Sequence, residues 1–85
     1  MSWHIYVRGK TEKHLKKLPV EHFHRIERAI DEMWINPYAG DIQKMGGSEN
    51  VWRRRIGPYR VRLEIREKDK LVYIFEIERR TSSTY

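Results

Sequence analysis

Between Val51 and Arg62 the chain runs Val-Trp-Arg-Arg-Arg-Ile-Gly-Pro-Tyr-Arg-Val-Arg, with five arginines and no acid. A guanidinium is a planar fork of donors that grips phosphate oxygens two at a time and keeps its charge at any accessible pH. Where such groups point therefore decides the chemistry. Gly57-Pro58 is a turn signal between two strand-like runs, so the stretch reads as a β-hairpin. Successive side chains on a strand face opposite ways. Arg53 and Arg55 then share one face of the first strand, with Trp52 and Ile56 on the other. On the second strand Arg60 and Arg62 share a face, and Tyr59, Val61, Leu63 and Ile65 line its reverse. With both apolar sides turned to a core, four guanidinium groups gather on one exposed sheet surface. That surface suits an anion, above all a phosphate backbone.

The elements that must hold this hairpin can be read on either side of it. Trp3, Ile5 and Val7 alternate with polar residues, so residues 2–8 read as a first strand. Gly9-Lys10 ends it, and Thr11 is placed to cap a short helix, Glu12–Lys17, that buries Leu15 and Leu18. Pro19 separates this from Val20–Ile35, where Phe23, Ile26, Ile30, Met33 and Trp34 form one face of an amphipathic helix. Asn36-Pro37 stops it, because proline disfavours helical geometry in the residue before it. Residues 36–50, with three glycines and a proline, read as a long loop. After the hairpin, the third strand runs to about Arg66. Glu67–Lys70 makes a charged turn, and Leu71–Glu78 reads as a last strand. Leu71, Tyr73, Phe75 and Ile77 fall on one face of it; Val72, Ile74, Glu76 and Glu78 fall on the other. The order β-α-α-β-β-β predicts an α+β domain, a mostly antiparallel twisted sheet with two N-terminal helices packed on one face. The opposite, solvated face carries the arginines.

Composition sets the outer limits. Eighty-five residues make a single domain, residues 1–85, with no room for a second core. The absence of cysteine excludes disulfides, thiol catalysis and cysteine-based zinc sites. No long apolar run and no leader-like N-terminus is present, so no membrane is implied and the cytoplasm is the expected compartment. Eighteen Lys/Arg against twelve Asp/Glu give a net charge of +6. A basic domain attracts polyanions, whether nucleic acid or an acidic protein partner. His4, His14, His22 and His24 all fall outside the hairpin, and no spacing among them suggests a metal or an acid–base pair.

Several pieces together resemble the RelE/ParE toxin superfamily of toxin–antitoxin pairs. They are the Leu18-Pro19 break between the helices, Asn36-Pro37, Asp41-Ile42-Gln43-Lys44-Met45-Gly46-Gly47, the hairpin Trp52–Val61, and Arg79-Arg80 before a terminal tyrosine. The resemblance covers nearly the whole chain. For RelE-type members it implies a ribosome-dependent, metal-free endoribonuclease that cuts messenger RNA in the decoding site. It needs no cofactor and is neutralised by a cognate antitoxin protein. Metal-free cleavage requires an activated 2′-hydroxyl, in-line geometry and stabilisation of charge on the phosphate, and preorganised cations supply much of the last two.

Matched by position, Arg53, Arg55 and Arg60 are the phosphate clamps and Arg80 stabilises the transition state or leaving group. Tyr85 is the nearest match to the catalytic tyrosine. Arg62 and Tyr59 would add RNA contacts, Tyr59 by stacking on a base, and Tyr38 in the loop offers a second ring. The chain departs from some active members in carrying arginine at positions 53 and 55, where they carry lysine; arginine cannot serve as a base. Arg54, on the apolar side where the family usually has an aliphatic residue, is expected to snorkel at a sheet edge or past a helix end. Two other readings stay open: a ParE-like, non-enzymatic inhibitor of DNA gyrase, and an RNA-binding relative that has lost catalysis.

Overall fold

The structure, a computed structural model, describes residues 3–47 and 49–79. These form two helices and a five-stranded sheet. In chain order the elements are β1 (His4–Val7), α1 (Gly9–Lys16), α2 (Val20–Met33), β2 (Asp41–Lys44), β3 (Val51–Ile56), β4 (Tyr59–Arg66) and β5 (Leu71–Arg79). The strands lie in the order β1-β5-β4-β3-β2. Only the β1–β5 pair is parallel. The α+β arrangement with helices on one face is therefore as the residue pattern requires, with one strand more.

One core joins the helices to one side of the sheet. Leu15 of α1 and Ile26, Ala29 and Met33 of α2 pack with Ile56, Tyr59, Val61, Leu63, Ile65, Val72, Ile74 and Ile77. The alternation along β4 is complete, with Tyr59, Val61, Leu63 and Ile65 all buried. The strand period thus directs Arg60, Arg62, Glu64 and Arg66 to the open face. The β3–β4 turn takes two residues, since Ile56 pairs with Tyr59. Gly57 adopts φ +58 there, and Pro58 supplies the fixed negative φ that follows in a type II′ hairpin.

Four expectations need correction. Residues 36–50 are not all loop, because Asp41–Lys44 forms edge strand β2, antiparallel to β3 with Asp41 opposite Arg55 and Gln43 opposite Arg53. The first helix begins at Gly9 with Arg8 at its cap. Thr11 lies inside it, where its buried hydroxyl donates 2.7 Å to the Phe75 carbonyl and pins α1 to β5. Trp34 follows the end of α2 and is 40% exposed instead of joining the core.

The fourth concerns β5. Arg62 pairs with Glu76 while Leu63 pairs with Ile74, so Phe75 is an extra residue, a β-bulge. The bulge changes the strand's phase. Val72 and Ile74 face the core before it, and Ile77 faces the core after it. Glu76 and Glu78 are thereby set opposite Arg62 and Arg60 on the open face.

Candidate nucleic-acid interface

Hairpin register brings the four arginines into two directly opposed pairs. Arg53 stands across from Arg62, and Arg55 from Arg60. Like charges set directly opposite one another on adjacent strands repel, so each needs relief. Three find it in neighbouring strands. Arg53 Nη2 donates to Gln43 Oε1 at 3.0 Å. Arg55 Nε donates to Asp41 Oδ2 at 3.0 Å. Arg62 Nη1 donates to Glu76 Oε1 at 3.1 Å, and its Nη2 lies 3.5 Å from Glu78 Oε1. Arg60 makes no side-chain hydrogen bond or ion pair among the described residues.

Asp41, Gln43, Arg53, Arg55 and Arg60 line a hollow of about 280 Å³ in this face. Its walls are polar, as an anion site requires. Arg60, with its donors uncommitted, is the natural first contact for a phosphate oxygen, and the other two arginines are held at its rim by partners exposed to solvent. Asp41 and Gln43 are residues that sequence reasoning did not assign to the face. The signal was weak: an acid and an amide two residues apart, in a short polar strand between glycines.

The remaining expected site residues are distributed differently. Arg62 is on the face but two-thirds shielded, between two glutamates. Tyr59 is buried on the opposite side, its hydroxyl 2.9 Å from His22 Nδ1, with Arg79 over its ring at 5.9 Å. It cannot stack on a base while it fills the core, and this corrects its assignment as an RNA contact. Tyr38 is likewise engaged. Its hydroxyl donates 2.7 Å to Glu67 Oε1, and its ring meets Trp3 and Trp52 edge-on. Burial first, then the hydrogen bond and charge of Glu67, push its pKa up to about 12, so the phenol is neutral at physiological pH. Arg80 and Tyr85 lie outside the described residues.

The histidines are scattered. His24 lies 3.5 Å from Glu27 on the same helix, and His4 meets Trp34 edge-on. Among the described residues no three His, Asp or Glu side chains converge as a metal site would require. No helix among them is long and apolar enough to cross a membrane.

Comparison with known proteins agrees with this architecture. The family model for the ParE toxin of the type II toxin–antitoxin system parDE matches residues 5–83. A Methanocaldococcus jannaschii protein named as a candidate toxin, RelE1, is 30% identical over 83 residues, covering 94% of this chain and 92% of its own. The toxin in the crystal structure of the archaeal RelE–RelB complex from Pyrococcus horikoshii superposes with a TM-score of 0.85 at 26% identity, over 98% of this chain and 100% of that one. The isolated Escherichia coli RelE toxin has the same fold, with a TM-score of 0.82 at 13% identity over 96% and 88% of the two chains. With the family model spanning residues 5–83 and a relative 30% identical over nearly the whole chain, this chain belongs to the RelE/ParE toxin superfamily of type II toxin–antitoxin systems.

Proposed function

We propose that this toxin binds RNA on its open sheet face and cuts messenger RNA in the decoding site of translating ribosomes, without a metal. The observation that carries the reading is the pair of opposed arginine rungs, Arg53/Arg62 and Arg55/Arg60, above a polar hollow in which Arg60 has no partner among the described residues. Cleavage runs by attack of the ribose 2′-oxygen on the adjacent phosphorus. The bond to the 5′-oxygen breaks, leaving a 2′,3′-cyclic phosphate and a 5′-hydroxyl. Negative charge grows on the equatorial phosphate oxygens during this step. Fixed guanidinium donors at that position stabilise the transition state more than the ground state. In this scheme Arg60 is the principal clamp, with Arg53 and Arg55 flanking it. Arg80 and Tyr85 keep the roles that the resemblance gives them.

An antitoxin is the expected protein partner. RelE of Pyrococcus horikoshii is seen in complex with RelB. On this chain the exposed apolar side chains Val20 and Ile35, 69% and 82% accessible, with Tyr6 and Trp34, give an amphipathic segment something to cover.

The test is primer extension on a message translated in vitro, with and without ribosomes. Cuts should appear only on translated message, and Arg60→Ala should weaken them by about a hundred- to a thousand-fold while circular dichroism stays unchanged. Wild-type protein that makes no cut would refute the reading. One observation favours a second: the matching family model is the ParE one. A ParE-like gyrase inhibitor would poison DNA supercoiling and leave translated message intact.

A further inference from the structure

Three aromatic rings, Tyr6, Tyr73 and Phe75, form a column on the open face and take no part in the core. Tyr6 pairs with Tyr73 across the β1–β5 ladder, and their strand neighbours Ile5, Val7, Val72 and Ile74 are the residues turned to the core. The bulge adds Phe75 beside Tyr73. Tyr6 stacks on Tyr73 with 5.4 Å between centroids and 20° between planes, and Tyr73 on Phe75 at 6.2 Å and 28°. Each ring thus holds its neighbour in place. Tyr6, on the edge strand, is 58% exposed, and Phe75 is half-buried.

Phe75 also lines a hollow of about 360 Å³ between β5 and α1, together with Arg8, Lys10, His14 and Glu76. Two hydrogen bonds fix its walls. The Arg8 N–H donates to the Ile74 carbonyl at 2.9 Å, and the Thr11 hydroxyl to the Phe75 carbonyl at 2.7 Å. Arg8, Lys10 and His14 are exposed, and none of them pairs with a carboxylate among the described residues. Glu76 is the acid of the hollow, and its Oε1 is taken by Arg62. An aromatic wall beside cations suits a nucleobase joined to its phosphate, the combination that single-strand binding surfaces use. The position fits as well. Glu76 stands opposite Arg62, and Arg62 opposite Arg53, which lines the arginine hollow. Two strand spacings, about 10 Å, therefore separate the two hollows, and one RNA strand laid across the sheet meets both.

We propose that Phe75, backed by Tyr73 and Tyr6, is a base-stacking site for single-stranded RNA, an assignment that rests on the RNA-binding reading above. One base enters the hollow beside α1 and lies against Phe75, while a phosphate further along the same strand sits at Arg60. Every base has a π-face, so the site adds affinity without choosing a sequence.

The experiment is fluorescence anisotropy with a short single-stranded RNA, either intact or with one abasic nucleotide placed at each position in turn. Thermal unfolding and gel filtration at rising protein concentration accompany each variant. Phe75→Leu keeps apolar bulk and removes the π-face. It should bind intact RNA about five- to a hundred-fold more weakly, with the salt dependence unchanged because no charge is lost. In the wild type, an abasic nucleotide at one position should cost a similar factor. In Phe75→Leu that same replacement should cost nothing further. Phe75→Trp should bind at least as tightly as wild type. Three results overturn the proposal: Phe75→Leu binding like wild type, ring and base losses that multiply in full, or a wild-type dimer that Phe75→Leu dissolves. The last would give the rings to a second copy of this chain. A wild type that binds no RNA removes the RNA-binding reading itself, a result distinct from those three. If Phe75→Leu does not fold, Tyr73→Leu, which removes the ring behind Phe75, takes its place, with a smaller loss at the same abasic position as the expected outcome.

Discussion

Arg54 sits among the three consecutive arginines of β3 and is the one turned inward, only 7% exposed. Alternation places it on the apolar side, and it does lie there. It does not snorkel to water, however. Its Nη1 donates to the Ala29 carbonyl at 3.3 Å and its Nη2 to Glu32 Oε1 at 2.6 Å, both on α2, while Nε has no partner. Gly40 makes room, since a Cβ at that position would stand 2.6 Å from the guanidinium. Burying an ion pair returns little net stability, because desolvation offsets the attraction. Removing bulk from a packed site costs more. Arg54→Met, which keeps most of the volume and drops the charge, is therefore expected to stay within about 1 kcal/mol of wild type. Arg54→Ala should lose about 2–4 kcal/mol. Urea unfolding of the two variants decides it. A methionine variant as unstable as the alanine one would mean that the Arg54–Glu32 contact, and not the filling of space, holds α2 on the sheet. The same alternation that exposed Arg53 and Arg55 buried Arg54, so this part of the site was legible from residue order alone.

Other elements were legible only in part, for identifiable reasons. The period-2 run Tyr59–Ile65 and the helical spacing of Phe23, Ile26, Ile30 and Met33 encode their own geometry: the strand residues, Ile26 and Met33 lie in the core, and Phe23 and Ile30 pack against it. β2 does not. Asp-Ile-Gln-Lys has a single apolar residue and becomes a strand only because β3 offers it a ladder, as short polar edge strands often do. The bulge at Phe75 has no local signature either; it resolves a conflict between the phases of β4 and β5.

Between α2 and β2 the chain is fastened by Tyr38, whose hydroxyl bonds to Glu67 in the β4–β5 turn. The raised pKa of Tyr38 makes this fastening sensitive to alkali. The folded state favours the protonated phenol, so its contribution is complete below the ordinary tyrosine value of 10.0 and fades as pH rises towards about 12. The stability difference between wild type and Tyr38→Phe should accordingly be constant from pH 7 to 9 and shrink between 10 and 12. Parallel urea midpoints across the whole range would show that the Glu67 hydrogen bond does not hold the loop.

Charge on the whole molecule is distributed in a way its net value conceals. The chain carries +6, yet the open face sets Arg53, Arg55, Arg60, Arg62 and Arg66 against Asp41, Glu64, Glu76 and Glu78, which nearly balances it. Much of the excess lies instead around α1, with Arg8, Lys10, Lys13, Lys16 and Lys17 all exposed and Glu12 the acid among them. On the proposed reading, long-range attraction to a ribosome would come from the whole charge distribution, whereas bound phosphates would be met by a few guanidiniums in the hollow.

That division has a measurable consequence. Each phosphate neutralised on a single strand contributes about −0.7 to the slope of log affinity against log salt concentration. Contacts from Arg53, Arg55 and Arg60 alone give a slope of about −2. Arg60→Ala should reduce its magnitude by about 0.7. Charge removal on α1, as in Lys13→Gln with Lys16→Gln, should slow association and leave dissociation nearly untouched, because those groups steer without touching the strand. Fluorescence anisotropy with a short single-stranded RNA, read from about 50 to 300 mM salt, separates the two roles. A slope that Arg60→Ala leaves unchanged, or one that α1 charge removal abolishes, would move the RNA surface from the arginine hollow to the helix.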